Sequence, residues 1–128
     1  MARTIHITWE GGTLEAALND GPTARQVWDE LPIEGFANRW GDEIYFEIPV
    51  DATLEADARE IVEVGELAYW PTGSAFCIFF GRTPVSTDER PRAYSPVNIL
   101  GGISGGVSAL RAVSSGTLIR LTPAEGDA

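Results

Sequence analysis

Two side chains in this sequence belong to types that often act as nucleophiles or metal ligands, the single histidine, His6, and the single cysteine, Cys77. His6 alternates with Ile5 and Ile7, which places its imidazole on the polar face of a strand, and no nucleophile is indicated beside it. Cys77 lies in an apolar run without an adjacent cation to activate it, so we expect a small buried residue. One histidine and one cysteine cannot build a common zinc site, and we predict neither a metal nor a cofactor.

Molecular recognition is better supported, because several aromatic residues lie near polar ones in the central and later segments. Tyr69 and Trp70 are neighbours on a predicted strand, so one faces inward, and an outward Trp70 would form a binding platform. Arg82 fits a surface ion pair or a functional cation, and Asn98 fits a satisfied buried amide or a pocket hydrogen-bonding group. We predict an aromatic-lined pocket for a small ligand or short peptide, with the candidate residues Tyr45, Tyr69, Trp70, Phe76, Arg82 and Asn98.

The charge balance narrows the classes of partner. The sequence holds 19 acidic residues against 9 basic ones, all of them arginine, for a formal net charge of -10. Such a surface repels phosphate backbones and anionic lipid, so we expect no nucleic-acid and no membrane partner. No apolar run approaches the ~20 residues that span a bilayer, and a lone cysteine forms no internal disulfide, so we predict a cytoplasmic protein. The sequence leaves the oligomeric state open.

Short strands separated by turn residues account for most of the chain. Residues 4–9 alternate polar and apolar side chains, a Gly-Gly pair follows, and residues 13–18 return as the second strand of a hairpin. Residues 23–31 have apolar side chains at helical spacing, and Thr23 with Gln26 predicts a capping box at the start of this helix. Further strands are predicted at residues 35–40, 43–48, 67–70, 75–80, 97–103 and 117–121.

The remaining segments have weaker patterns. Residues 51–66 fit a short helix and a strand equally well. Residues 81–96 contain three prolines and predict a long loop that is either functional or a cover over the core. Residues 108–113 indicate a short helical turn. We predict a single domain over residues 1–122 and a flexible tail over residues 123–128.

Several of these segments resemble cyclophilins. Residues 65–70 with 72–76 are similar to the cyclophilin strand-turn-strand, and residues 97–103 resemble the cyclophilin His-Val-Val-Phe-Gly-x-Val segment. The runs Tyr-Trp-Pro, Phe-Phe-Gly and Pro-Val-Asn at residues 69–71, 79–81 and 96–98 resemble a small prokaryotic family of cyclophilin-like domains of unknown function. This resemblance implies a mainly β fold, a closed antiparallel eight-stranded barrel with one capping helix and short helical turns.

The resemblance does not carry the cyclophilin reaction with it. Cyclophilins hold their catalytic arginine in a Phe-His-Arg-Val-Ile-Pro strand, and the matching residues 44–49 place Phe46 where that arginine would be. We therefore expect a binding domain rather than an enzyme. Two alternatives stay open: a peptidyl-prolyl cis-trans isomerase with a non-standard active site, and a non-catalytic interaction subunit.

Overall fold

Antiparallel strands are the main regular structure of the molecule, as the sequence predicts. The computed structural model describes residues 3–124, which contain one α-helix, α1 (Pro22–Glu30), and two 3-10 turns, Pro71–Gly73 and Ser108–Ala112. The strands within these residues are β1 (Arg3–Trp9), β2 (Gly12–Leu18), β3 (Ile33–Phe36), β4 (Asn38–Trp40), β5 (Glu43–Glu47), β6 (Arg59–Ile61), β7 (Glu66–Trp70), β8 (Ala75–Phe79), β9 (Arg92–Ile103) and β10 (Leu118–Pro123).

The first two strands form the predicted hairpin. Trp9 lies opposite Gly12 at the closed end, and the pairing continues to the start of β1. Ile5 and Ile7 are fully buried while His6 between them is half-buried, so the alternation in the sequence separates a core face from a polar face.

The helix forms at the predicted place, but the predicted capping box is wrong. Helix α1 begins at Pro22, and the residue before it, Gly21, makes no side-chain capping bond. The backbone N–H of Thr23 donates instead to the carboxylate of Glu55 at 3.1 Å, and the Thr23 hydroxyl donates to the same carboxylate. A residue from a distant loop therefore satisfies one of the free N–H groups at the start of the helix, as a local cap would otherwise do.

The sheet is not closed into a barrel, which corrects the closed eight-stranded barrel that the resemblance implies. Its strand order is β3-β10-β1-β2-β9-β7-β8-β5-β4, with β6 paired to β9 off this path. The end strands β3 and β4 are successive segments that flank Ala37, whose backbone bonds to Gly116 and Thr117. This break divides the predicted strand at residues 35–40, and β6 adds another, so the described residues form ten strands rather than eight.

Apolar clusters cover both faces of the central strands. On β8, Phe76 and Ile78 belong to the larger cluster, and the alternating residues Ala75, Cys77 and Phe79 belong to a smaller one. Since neighbouring residues of a strand point to opposite faces, the two clusters lie on opposite sides of the sheet. We call the side of the larger cluster the inner face and the other the outer face.

The segments with weak sequence patterns cover the outer face. Residues 51–66 form no helix and contain only the short strand β6 before β7 begins at its end. Strand β9 starts at Arg92, so the predicted loop at 81–96 is shorter and its last residues pair with β6, with Arg59 opposite Val97 and Ile61 opposite Arg92. Val62, which lies in the covering segment directly after β6, packs in the outer cluster.

The end of the chain differs slightly from the prediction. Strand β10 extends to Pro123, so the predicted tail at 123–128 begins within a strand, and residues 125–128 of it lie outside the described residues. Between residues 3 and 124, no helix has both the length and the apolar character needed to cross a membrane.

Candidate functional site

A cavity of about 180 Å³ opens on the outer face of the sheet. Strands β4, β5, β7 and the first half of β9 form its wall. Its lining combines four aromatic side chains, one carboxylic acid and two small or aliphatic residues, namely Trp40, Glu43, Tyr45, Trp70, Ala93, Tyr94 and Val97. We call this cavity the aromatic pocket.

The pairing of β4 with β5 brings three of these side chains together. Trp40 lies directly opposite Glu43, so the two side chains share one face of the sheet. Tyr45 follows Glu43 by two residues and points to the same face. Gly41 closes the turn with a φ of 61°, a left-handed conformation that glycine adopts without steric cost, and this turn fixes the register.

The other aromatic walls come from β7 and β9. The Trp70 indole N–H donates to the hydroxyl oxygen of Ser95 at 2.7 Å, which holds the indole in one orientation. The ring of Tyr94 contacts Trp70 with a centroid distance of 6.2 Å and Trp40 with one of 6.3 Å. Trp70 also contacts Tyr45 at 6.4 Å. These contacts link the four rings in a row from Trp40 to Tyr45.

Glu43 is the carboxyl group of the pocket, and only 6% of its surface is exposed. Burial disfavours the charged form and raises the pKa of Glu43 from 4.5 to about 7, while a hydrogen bond from the Cys77 thiol acts in the opposite direction. Among residues 3–124 no arginine or histidine forms an ion pair with it. The pocket therefore holds an acid that changes its charge near neutral pH.

Cys77 lies beneath this acid on β8. Burial, and then the nearby charge of Glu43, raise the pKa of the Cys77 thiol well above its ordinary value, so the sulphur stays protonated. The sulphur is also 3.8 Å from the carbonyl oxygen of Ala75. The sequence-based expectation of a buried cysteine is confirmed.

The structure brings two of the six predicted site residues, Tyr45 and Trp70, into the aromatic pocket. Tyr69 and Phe76 belong to the inner cluster and are fully buried. The Tyr69 hydroxyl donates to the Val50 carbonyl oxygen at 2.6 Å and accepts from the Ala52 N–H at 3.2 Å. Tyr69 and Phe76 therefore lie on the opposite side of the sheet from the pocket.

Asn98 is a buried amide with satisfied hydrogen bonds. Its carbonyl oxygen accepts from the Glu55 N–H at 2.8 Å. Its amino group donates to the Thr23 hydroxyl at 3.0 Å and to the Thr53 carbonyl oxygen at 2.9 Å. These bonds connect the segment after β5 to β9 and to helix α1. Of the two roles that the sequence left open for Asn98, a satisfied buried amide or a pocket hydrogen-bonding group, the structure shows the first.

Arg82 does not line the pocket either. It follows β8 in the loop, and its backbone carbonyl oxygen accepts from the Asp42 N–H at 2.9 Å, next to the turn between β4 and β5. The pocket residues that sequence reasoning missed are Trp40, Glu43, Ala93, Tyr94 and Val97. For Glu43 the available signal was its position two residues before Tyr45 on a predicted strand, which places both on one face.

With this geometry in place, the comparisons with known proteins establish the class of the domain. The chain belongs to the cyclophilin-like family, whose model matches residues 3–122. The solution structure of the hypothetical protein AF2241 from Archaeoglobus fulgidus is similar, with 39% identity and a TM-score of 0.82 over 96% of this chain and 95% of that one. None of the curated proteins compared with the chain matches it. The resemblance inferred from the sequence is therefore confirmed, and it names no reaction.

Proposed function

We propose that this domain binds a small ligand in the aromatic pocket. The observation that carries the proposal is the concentration of four aromatic rings and one buried acid around a single recess. Small-molecule sites are typically concave and apolar with a few polar groups that fix orientation. Pockets for drug-sized ligands measure about 300–1,000 Å³, so this recess suits a small molecule or one head group of a larger one.

Prolyl isomerisation has less support as an alternative. The residue at the position of the cyclophilin arginine, Phe46, is buried in the inner cluster and packs against Phe76 with ring centroids 5.6 Å apart. A donor at this position would point into the core rather than toward a peptide. The pocket itself is lined by no arginine that could donate to a prolyl nitrogen.

A fragment screen observed by NMR tests the proposal, because the tryptophans provide an internal control. Trp40 and Trp70 line the pocket, whereas Trp9 and Trp28 pack with the inner cluster. We expect binding fragments to shift the indole N–H signals of Trp40 and Trp70 and to leave those of Trp9 and Trp28 in place. Fragments that shift none of the four signals, or only those of Trp9 and Trp28, would overturn the proposal.

A pair of exposed aromatic residues supplies matched variants for this screen. Tyr94 is 71% exposed at the pocket, and Phe36 is 67% exposed outside its lining. We expect Tyr94→Ala to weaken fragment binding and Phe36→Ala to leave it unchanged, with both variants folded by circular dichroism. Equal effects of the two substitutions would argue against binding at the pocket.

A further inference from the structure

The four aromatic rings of the pocket lie next to one another around its carboxyl group. Consecutive rings in the row from Trp40 through Tyr94 and Trp70 to Tyr45 meet at interplanar angles of 74°, 81° and 79°. Glu43 completes the enclosure, because it lies opposite Trp40 on the paired strand and on the same face as Tyr45. Aromatic rings around one acid make a site that favours positively charged ligands.

Every electrostatic feature of this enclosure favours a positive group. The faces of aromatic rings carry negative potential and attract cations within about 6 Å of the ring centroid. Glu43 adds a full negative charge when ionised, and among residues 3–124 no basic side chain lines the pocket to neutralise it. The nearby arginines Arg39 and Arg111 pair with Asp42, at 3.0 Å and 3.3 Å. The net charge of -10 further raises the local concentration of cations.

Resting on the small-ligand function, we propose that the occupant of the aromatic pocket is a methylated ammonium group, enclosed by the four rings and neutralised by Glu43. A primary ammonium has three N–H donors, each of which requires an acceptor when it leaves water. The pocket offers one carboxyl group among mostly apolar and aromatic surface. A quaternary ammonium has no N–H group to satisfy, and its methyl groups suit aromatic faces, so the lining matches this class best.

The bound cation would act as the counter-ion that Glu43 lacks. Burial raises the pKa of Glu43 to about 7, and a positive charge beside it favours the ionised form. Cation binding below pH 7 therefore releases a proton, and affinity rises as the pH increases toward 8. The other titratable groups that face Glu43 are Tyr45 on its own strand, Cys77 on β8 and Tyr94 on β9. From β4 only Trp40 faces Glu43, and its side chain does not titrate.

A pair of ligands with the same shape and different charge tests the proposal. Choline carries a trimethylammonium group, and 3,3-dimethylbutan-1-ol replaces its nitrogen by carbon. By calorimetry at pH 8 and constant ionic strength, we expect choline to bind at least about tenfold more tightly than the alcohol, since a desolvated cation–π contact contributes ~2 kcal/mol or more. Tyr94→Ala should weaken choline binding by about two- to fivefold, the effect of one exposed ring, and Phe36→Ala should not.

Glu43→Gln separates the role of charge from that of shape. In the wild-type protein we expect choline affinity to rise between pH 5.5 and pH 8, whereas in the Gln variant it should be weak and independent of pH. Alcohol binding, which involves no charged ligand, should not rise with pH in either protein. These comparisons use the full-length chain, with folding of each variant checked by circular dichroism.

The outcomes distinguish this inference from the proposed function. If the alcohol binds as tightly as choline, the ammonium specificity is wrong and a small-ligand pocket remains. If choline produces neither heat nor a shift of the Trp40 and Trp70 indole signals, the inference is also wrong, and the fragment screen alone decides the proposed function. A pH dependence that persists in Glu43→Gln would overturn the role of the carboxylate.

Discussion

Replacing Glu43 by glutamine is expected to change how the stability of the protein depends on pH. Below pH 4.5 the carboxyl group is protonated in the folded and the unfolded chain, so its burial removes no charge from water. Above pH 7 it is ionised in both, and the folded protein holds a buried carboxylate without a counter-ion. Because the folded-state pKa is raised from 4.5 to about 7, the contribution of Glu43 to stability falls as the pH rises through this interval.

The size of the effect follows from the two pKa values. A rise from 4.5 to about 7, at about 1.4 kcal/mol per pH unit, corresponds to a loss of about 3 kcal/mol in the free energy of unfolding between pH 4 and pH 8. Glutamine has similar shape and does not ionise, so Glu43→Gln should gain about this much relative to wild type over the same interval. In a domain of this size that is a difference in Tm of roughly 10 °C.

Urea unfolding of both proteins from pH 4 to pH 8 measures the difference and cancels the contributions of the other acidic residues. Glu47→Gln is the matched control, because it makes the same replacement of a carboxyl group by an amide at an exposed position at the other end of the same strand. A constant difference for Glu43→Gln would refute the reasoning. A wild-type protein that gains stability over the variant with rising pH would show that the fold already neutralises the carboxylate.

Three further substitutions test the structural roles assigned above by urea unfolding at one pH. Asn98→Ala removes a buried amide with its three hydrogen bonds and leaves the Glu55 N–H and the Thr53 carbonyl oxygen without this partner, and should cost about 2–4 kcal/mol; a cost below that of a surface substitution would contradict the role. Tyr69→Phe removes only the buried hydroxyl and should cost about 1–2 kcal/mol, so an unchanged midpoint would count against its hydrogen bonds. Gly101→Ala should cost about 4 kcal/mol or more, because a Cβ there would lie 1.8 Å from the Ala17 carbonyl oxygen. Gly105→Ala, where nothing lies within 4 Å of such a Cβ, is its control, and similar losses would show that packing is not the cause.

The inner core could be predicted from the sequence, because the residue patterns that specify it are local. Ile5 and Ile7 alternate with polar residues, and a fully apolar run at β8 indicates a strand covered on both sides, as the two clusters confirm. The prediction for Tyr69 and Trp70, one inward and one outward, follows from the same period of two and is also confirmed. Such patterns indicate which face of a strand is buried. They do not indicate which strands pair with each other, and the closure of a sheet depends on that pairing.

For that reason only part of the aromatic pocket could be predicted from the sequence. Tyr94 lies between Pro91 and Pro96, and prolines this close predict a loop, yet this segment joins β9 and pairs with β6 through an irregular register. Glu43 directly follows a turn, a position typical of an exposed acid. Its burial results from the cover formed by residues 92–97, about fifty positions away, and no local pattern carries that information.

The packing of the two faces explains why the recess lies on the outer one. The inner face is covered by large buried side chains such as Phe46, Phe76 and Tyr69. The outer face of the same strands carries small residues, among them Ala68, Cys77 and Ala93, so that the aromatic rings at its edge enclose a cavity rather than pack it.

We expect an acid at the side of that cavity to destabilise the fold at neutral pH, by the ~3 kcal/mol worked out above. A purely structural role at this position would be served better by glutamine or by an apolar residue. The carboxyl group of Glu43 is therefore the feature that packing does not explain and that the proposed cation would explain.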